Sequence, residues 1–178
     1  MIIIDCEFQN YRKYDIMIEV KKMNETVLCY IENENDEYLM LYRCKKKNDL
    51  NEGKWLGIGG HIESNEEVED AVIREVYEET GLTLTGINKR GIITFINDDY
   101  VEVMHLFTSN SFYGDLCECD EGQLKWVSKS DILDLPLWQG DKEFLMKLIN
   151  DDNYFEMKLY YSKNEFLRSE IDDISKIY

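Results

Sequence analysis

The chain has 178 residues, 44% of them apolar and 12% aromatic, which suits one domain with a sizeable core and is too apolar for wholesale disorder. Its 37 acidic and 20 basic residues give a formal net charge of −17. That balance excludes a basic nucleic-acid surface, because phosphate-backbone binding needs clustered Lys and Arg, but it leaves open a phosphorylated small molecule whose charge is neutralised by metal cations.

In chain order, residues 1–22 read as an N-terminal extension of unknown role, with strand character over 16–20. Residues 23–178 read as the folded domain. A hairpin is expected from 26–32 and 37–43 across the turn Asn33-Glu34-Asn35-Asp36. Residues 45–53 form a polar loop, followed by a short glycine-rich stretch from Trp55 to Gly60. Ser64 as N-cap with Glu67 three residues on predicts a capping box. The helix it starts should run to about Thr80 and stop at Gly81.

Residues 91–97 and 100–109 look like paired strands across Asp98-Asp99, and 123–128 like a short strand. Residues 130–135 suit a helical turn. Residues 141–150 suit a helix with Phe144, Leu145 and Leu148 on one side, and 154–171 a hairpin around Lys163-Asn164. Strands around one strong helix indicate an α+β, or mixed α/β, domain.

Five cysteines without a C-x-x-C pair, and only two histidines, argue against a disulfide framework or a structural zinc site. The apolar run Met1-Ile2-Ile3-Ile4 is too short for a signal peptide, and no stretch approaches the roughly 18 apolar residues of a membrane span. A reduced cytoplasmic protein without a membrane partner is expected.

The informative segment is the predicted helix. Val68, Val72, Glu75 and Glu79 share one stripe, and Glu78 lies beside it. Carboxylates placed together on a domain-facing side repel one another, and a divalent cation is the simplest compensation. Oxygen ligands without Cys or His favour Mg²⁺ or Mn²⁺ over Zn²⁺. A solvated acidic helix face is the bland alternative.

The wider pattern decides between them. Gly60, Glu66, Arg74, Glu75, Val76, Glu78, Glu79, Gly81 and Leu82 fill every fixed position of G-x5-E-x7-R-E-U-x-E-E-x-G-U, with U apolar. The chain therefore resembles the Nudix hydrolases. A chance match in a chain of this composition has odds on the order of 10⁻⁷. Further runs resemble the MutT branch of that family, the 8-oxo-dGTP diphosphatase-like enzymes, in their Gram-positive bacterial form. They lie at 48–63, 91–95, 121–126 and 138–141, and the likeness extends over roughly residues 26–171.

The resemblance implies a Nudix fold, a mixed β-sheet sandwiched between α-helices. It implies Mg²⁺ ligands at Glu75, Glu78 and Glu79 with the Gly59 carbonyl, and Arg74 holding Glu75 in place. Glu66 takes a structural role near the helix start. Glu121 becomes a base or an extra metal ligand; an exposed loop acid is the plain alternative. Trp138 would stack on the purine and Asp141 would bond its edge, where the plain readings are a core tryptophan and a helix N-cap. Arg43 and His61 would meet phosphate, and Phe95 would line the base pocket.

The implied reaction hydrolyses an oxidised purine nucleoside triphosphate to monophosphate and pyrophosphate, removing damaged nucleotides before they reach DNA. The expected partner is a small nucleotide and not a nucleic acid polymer. Two positions depart from the pattern: a base-contacting asparagine of relatives is Leu56 here, and the acidic partner of Asp141 is Gly140. Rival readings are a hydrolase of diadenosine polyphosphates or another nucleoside-diphosphate-X, signalled by Tyr100 eighteen residues after Leu82, and a non-catalytic nucleotide sensor.

Overall fold

The structure is a computed structural model and describes residues 22–46 and 49–172; the strand expected over 16–20 lies outside them. The elements are β1 (Lys22–Ile31), β2 (Glu37–Arg43), β3 (Trp55–Leu56), α1 (Val68–Thr80), β4 (Thr83–Asn97), β5 (Tyr100–Tyr113) and β6 (Gly122–Ser128), then a 3-10 turn (Ile132–Asp134), α2 (Gln139–Asn150), β7 (Phe155–Ser162) and β8 (Glu165–Asp172). A five-stranded mixed sheet runs β1-β5-β4-β7-β8 and a three-stranded antiparallel sheet runs β3-β2-β6. In the larger sheet, β1–β5 and β4–β7 pair in parallel.

The period-2 alternation of β1 and β2 explains how two helices are accommodated. Val27, Cys29 and Ile31 of β1, with Leu39 and Leu41 of β2, pack with Ala71, Val72 and Val76 of α1. The intervening Tyr30, Tyr38 and Met40 pack instead with Phe144, Leu145 and Leu148 of α2. The helices thus cover opposite sides, as expected of a sandwich.

Two local expectations are corrected. The hairpin over 26–43 forms its turn but not its ladder. Asn33 Oδ1 accepts the N–H groups of Asn35 and Glu37 at 2.9 and 3.2 Å, yet pairing is limited to one bridge between Glu32 and Tyr38. Both strands are apolar on both faces, so each needs cover on two sides. They splay into different sheets, β1 beside β5 and β2 beside β6.

The capping box also fails to form. α1 starts at Val68, and its N-cap, Glu67, makes no side-chain cap bond. Asn65 takes a left-handed φ of 67°, and Glu66 makes the local bond, accepting the Glu63 N–H at 2.9 Å. Its two oxygens also take a fork from Arg74 at 2.7 and 2.8 Å, a charge-assisted pair stronger than a hydroxyl cap. The C-terminal expectation holds: Gly81 adopts a φ of 77° and closes the helix onto the Tyr77 carbonyl at 2.9 Å.

The four described cysteines are free. Among the described residues no helix is long and apolar enough to cross a membrane.

Candidate active site

The glycine-rich loop lies against β1 in an alternating pattern. Cys29 N–H donates to the Ile58 carbonyl at 2.7 Å and Val27 N–H to the Gly60 carbonyl at 2.9 Å. The carbonyl between them, on Gly59, accepts no hydrogen bond among the described residues. The Gly59 N–H instead donates to Glu79 Oε2 at 3.1 Å. Both glycines are needed for this approach. A Cβ on Gly59 would lie 2.0 Å from the Val27 carbonyl oxygen, and one on Gly60 would lie within 2.7 Å of all three atoms of the Glu75 carboxylate.

Glu79 is 8% exposed. Burial pushes its carboxyl up to about 7, the nearby Glu75 charge adds to the rise, and the Gly59 N–H pulls the other way. Arg74 organises the rest of the helix face. Its Nη1 donates to Glu75 Oε1 at 2.8 Å and to Glu78 Oε2 at 3.1 Å, and Nη2 donates to the His61 carbonyl at 3.0 Å. Arg74 hydrogen bonds, helped by the Glu63 N–H, hold the Glu66 carboxyl down to about 2. The expectation that Arg74 fixes Glu75 thus has a direct contact behind it, and Glu66 belongs to the same cluster.

All but Arg74 and Glu78 of the candidate residues line one cleft of about 540 Å³, a size suited to a nucleotide-sized ligand. Its acidic end carries Gly59, Glu75 and Glu79. Glu121, from the segment before β6, reaches the cleft bonded to Arg43 and Lys46. Arg43 also holds Asp49, with Nε at 2.8 Å and Nη2 at 2.7 Å from Oδ2. His61 is exposed at the rim.

The cleft is also lined by Phe95, Trp138 and Asp141, the first two with their rings against Tyr161. Trp138 is the N-cap of α2, so the alternative that made Asp141 the cap does not apply. The Trp138 Nε1–H donates to Asn51 Oδ1 at 2.8 Å, and the Lys54 ammonium sits 5.4 Å from its ring centroid. Asp141 is 9% exposed. Burial first, then the charge of Glu102, raise its carboxyl to about 7, while Lys54 pulls it down.

Sequence reasoning missed Glu102 and Thr26, which line the cleft as well. A usable signal was present for one of them: Glu102 sits between Val101 and Val103 and shares a strand face with Tyr100 and Met104.

The joint metal site expected of Glu75, Glu78, Glu79 and Glu121 is not assembled in this conformation. Among the described residues no group of three His, Cys, Asp or Glu side chains is arranged as a ligand set. Glu78 turns to Arg74, and Glu121 to Arg43 and Lys46. The donors nonetheless suit a hard divalent cation. Glu79 is a buried carboxyl without a cationic partner among the described residues, Glu75 is beside it, and the Gly59 carbonyl next to them is free to donate.

Comparison with known proteins agrees with this geometry. Residues 22–148 match the NUDIX domain. An uncharacterized Nudix hydrolase of Bacillus subtilis is 35% identical over 122 residues, covering 64% of this chain and 73% of that protein. The oxidized purine nucleoside triphosphate hydrolase of Mus musculus is 30% identical over 111 residues, covering 61% and 71%. The crystal structure of a MutT protein from Bacillus halodurans superposes with a TM-score of 0.76 at 26% identity, covering 84% of this chain and 97% of that one. The chain belongs to the Nudix family and is a hydrolase of the MutT type, a family that generally uses divalent metal ions.

Proposed function

We propose that this Nudix hydrolase is a Mg²⁺-dependent diphosphatase that converts oxidised purine nucleoside triphosphates, such as 8-oxo-dGTP, to nucleoside monophosphate and pyrophosphate. The observation that carries this reading is that one cleft is lined both by Glu75, Glu79 and Gly59 and by Phe95, Trp138 and Asp141. The relatives named as oxidized purine nucleoside triphosphate hydrolases support it. The same reading assigns the activity to residues 23–178, leaves 1–22 as an extension, and places the protein in the cytoplasmic nucleotide pool.

Glu75, Glu78, Glu79 and the Gly59 carbonyl would hold Mg²⁺, with Mn²⁺ as a substitute and Glu121 as a further donor. When bound, the cation supplies Lewis acidity towards phosphate oxygens and lowers the pKa of water. The chain's own groups do the rest. Arg74 orients Glu75 through the 2.8 Å contact, and Glu75 takes the proton of the water that attacks the β-phosphorus. Glu121 is the second choice of base, because its carboxylate is already bonded to Arg43 and Lys46. Arg43 and His61 meet the phosphates. Trp138 stacks on the base and Asp141 bonds its edge, with Phe95 beside them.

Tyr100 does line the cleft, but its hydroxyl donates to Glu102 and accepts from Asn24, which favours a supporting role over the diadenosine-polyphosphate reading. Pyrophosphate release with and without EDTA, in ¹⁸O-labelled water, tests the proposal. Label in pyrophosphate and loss of turnover in EDTA are expected. Label in the monophosphate would move the attack to the α-phosphorus, and full activity in EDTA would overturn the metal requirement.

A further inference from the structure

Gly140 precedes Asp141 in the first turn of α2. A side chain there has no room. A Cβ on Gly140 would come within 2.6 Å of the Tyr161 hydroxyl oxygen, which already accepts the Gly140 N–H at 2.7 Å. The first turn of α2 therefore offers Asp141 alone. A second carboxyl nevertheless lines the same cleft, near enough for its charge to act on Asp141: Glu102, from β5.

Glu102 is fixed at both oxygens. Thr26 Oγ1 donates to Oε1 at 3.0 Å and the Tyr100 hydroxyl donates to Oε2 at 3.0 Å. Asn24 Nδ2 donates to that hydroxyl at 3.0 Å, which orients its proton towards Glu102. Each carboxylate oxygen keeps a further acceptor site, so the group is aimed and still has capacity. Asp141 is the reverse case. It is 9% exposed, lines the cleft, and has no side-chain hydrogen bond or ion pair among the described residues. A buried carboxyl without a partner is costly unless a ligand supplies one.

We propose that Glu102 is the second base-reading carboxyl of this cleft, and that with Asp141 it selects purines carrying the guanine edge over those carrying the adenine edge. This rests on the triphosphate reading above and deepens it. The argument is one of matching donors. Two carboxylate oxygens side by side suit two adjacent N–H donors, as in other forked pairs. Guanine presents such a pair, at N1–H and the 2-amino group, beside its O6 acceptor. The protonated form of Asp141, favoured by burial and by the Glu102 charge, can donate to O6.

Adenine places the N1 lone pair where guanine has an N–H donor, so an oxygen of Glu102 would face another acceptor. That edge is the same in guanine and 8-oxoguanine, so this pair reads the base and not its oxidation.

The test is the rate of pyrophosphate release from dGTP, 8-oxo-dGTP, dITP and dATP with Mg²⁺, for wild type and Glu102→Gln. Wild type should favour dGTP over dATP, and over dITP, which lacks the 2-amino group, by about tenfold or more in kcat/KM. The glutamine amide offers one donor and one acceptor, which suits adenine, so the dGTP-to-dATP ratio should fall by about tenfold or more. Glu102→Asp, which keeps the charge but withdraws it, should lower the ratio without a gain on dATP, and serves if the glutamine variant does not fold.

A wild type without guanine preference, or variants that slow every substrate by one factor, would overturn the role of Glu102 while leaving the diphosphatase reading intact. A wild type that releases pyrophosphate from none of the four would overturn both.

Discussion

The Cα of Gly60 lies so close to the Glu75 carboxylate that a Cβ built on it would meet Oε2 at 2.5 Å. The neighbouring glycine is confined differently, against the Val27 carbonyl oxygen at 2.0 Å. One contact is to the mobile end of a side chain, the other to backbone.

The two alanine substitutions should therefore separate. Gly60→Ala should keep a melting temperature near wild type while kcat falls by about a hundredfold or more, because the displaced carboxylate is the proposed base. Gly59→Ala should lower stability itself, since β1 and the loop must move apart and lose the bonds at Cys29 and Val27. Thermal melts and initial rates on the two proteins check this; equal melting temperatures would show that the loop can shift freely.

Glu79→Gln should abolish turnover with every substrate yet stabilise the metal-free protein at alkaline pH. The folded carboxyl titrates at about 7 against an ordinary 4.5, so the folded state holds the proton more tightly than the unfolded chain. Stability contributed by the protonated group is full below about 4.5, is lost as pH rises towards 7, and stays lost above it. The penalty is on the order of 3 kcal/mol at most, and each kcal/mol is worth about 2–4 °C at this size. Melts in EDTA at pH 5 and pH 8 should show the variant gaining only at pH 8. A loss at pH 8 would mean that the Gly59 N–H bond outweighs burial.

Trp138→Ala should alter base ranking more than chemistry. Stacking of a base on an aromatic ring is worth about 1–3 kcal/mol, and the Asn51 bond and Lys54 hold this ring in place. The preference for oxidised over normal purine triphosphates should change, with kcat on the best substrate reduced less than in Glu79→Gln. An unchanged ranking would remove Trp138 from the base subsite.

Arg74→Lys should fail to replace arginine. The guanidinium reaches Glu66, Glu75, Glu78 and the His61 carbonyl at once, which a single ammonium cannot do. A fall in kcat of about tenfold or more is expected, with a lower melting temperature from the loosened 61–66 segment. A lysine variant with wild-type kcat would show that Glu75 needs no orienting partner.

Much of this site was legible because its residues are local in sequence. Glycine, arginine and glutamate spacing around α1 specifies which groups share a helix face, and Gly81 marks its end. The proposed base-binding role of Trp138 and Asp141, which do line the cleft, came only through resemblance. Other cleft residues meet through long-range pairing: Thr26 reaches Glu102 only because β1 runs parallel to β5, and no local pattern announces such a register. The same non-local competition explains the two corrected details. Ser64 has the right spacing for a cap, but Arg74 takes Glu66 from eight residues away. The 26–43 turn has hairpin residues, but both strands find longer partners elsewhere.

The division of the cleft between supporting elements has an evolutionary corollary. The proposed phosphate groups come from α1 and the glycine loop, whereas the proposed base-reading groups come from β4, β5 and α2. On that proposal, point changes in a strand such as β5 redirect which nucleobase is accepted without disturbing the hydrolytic apparatus.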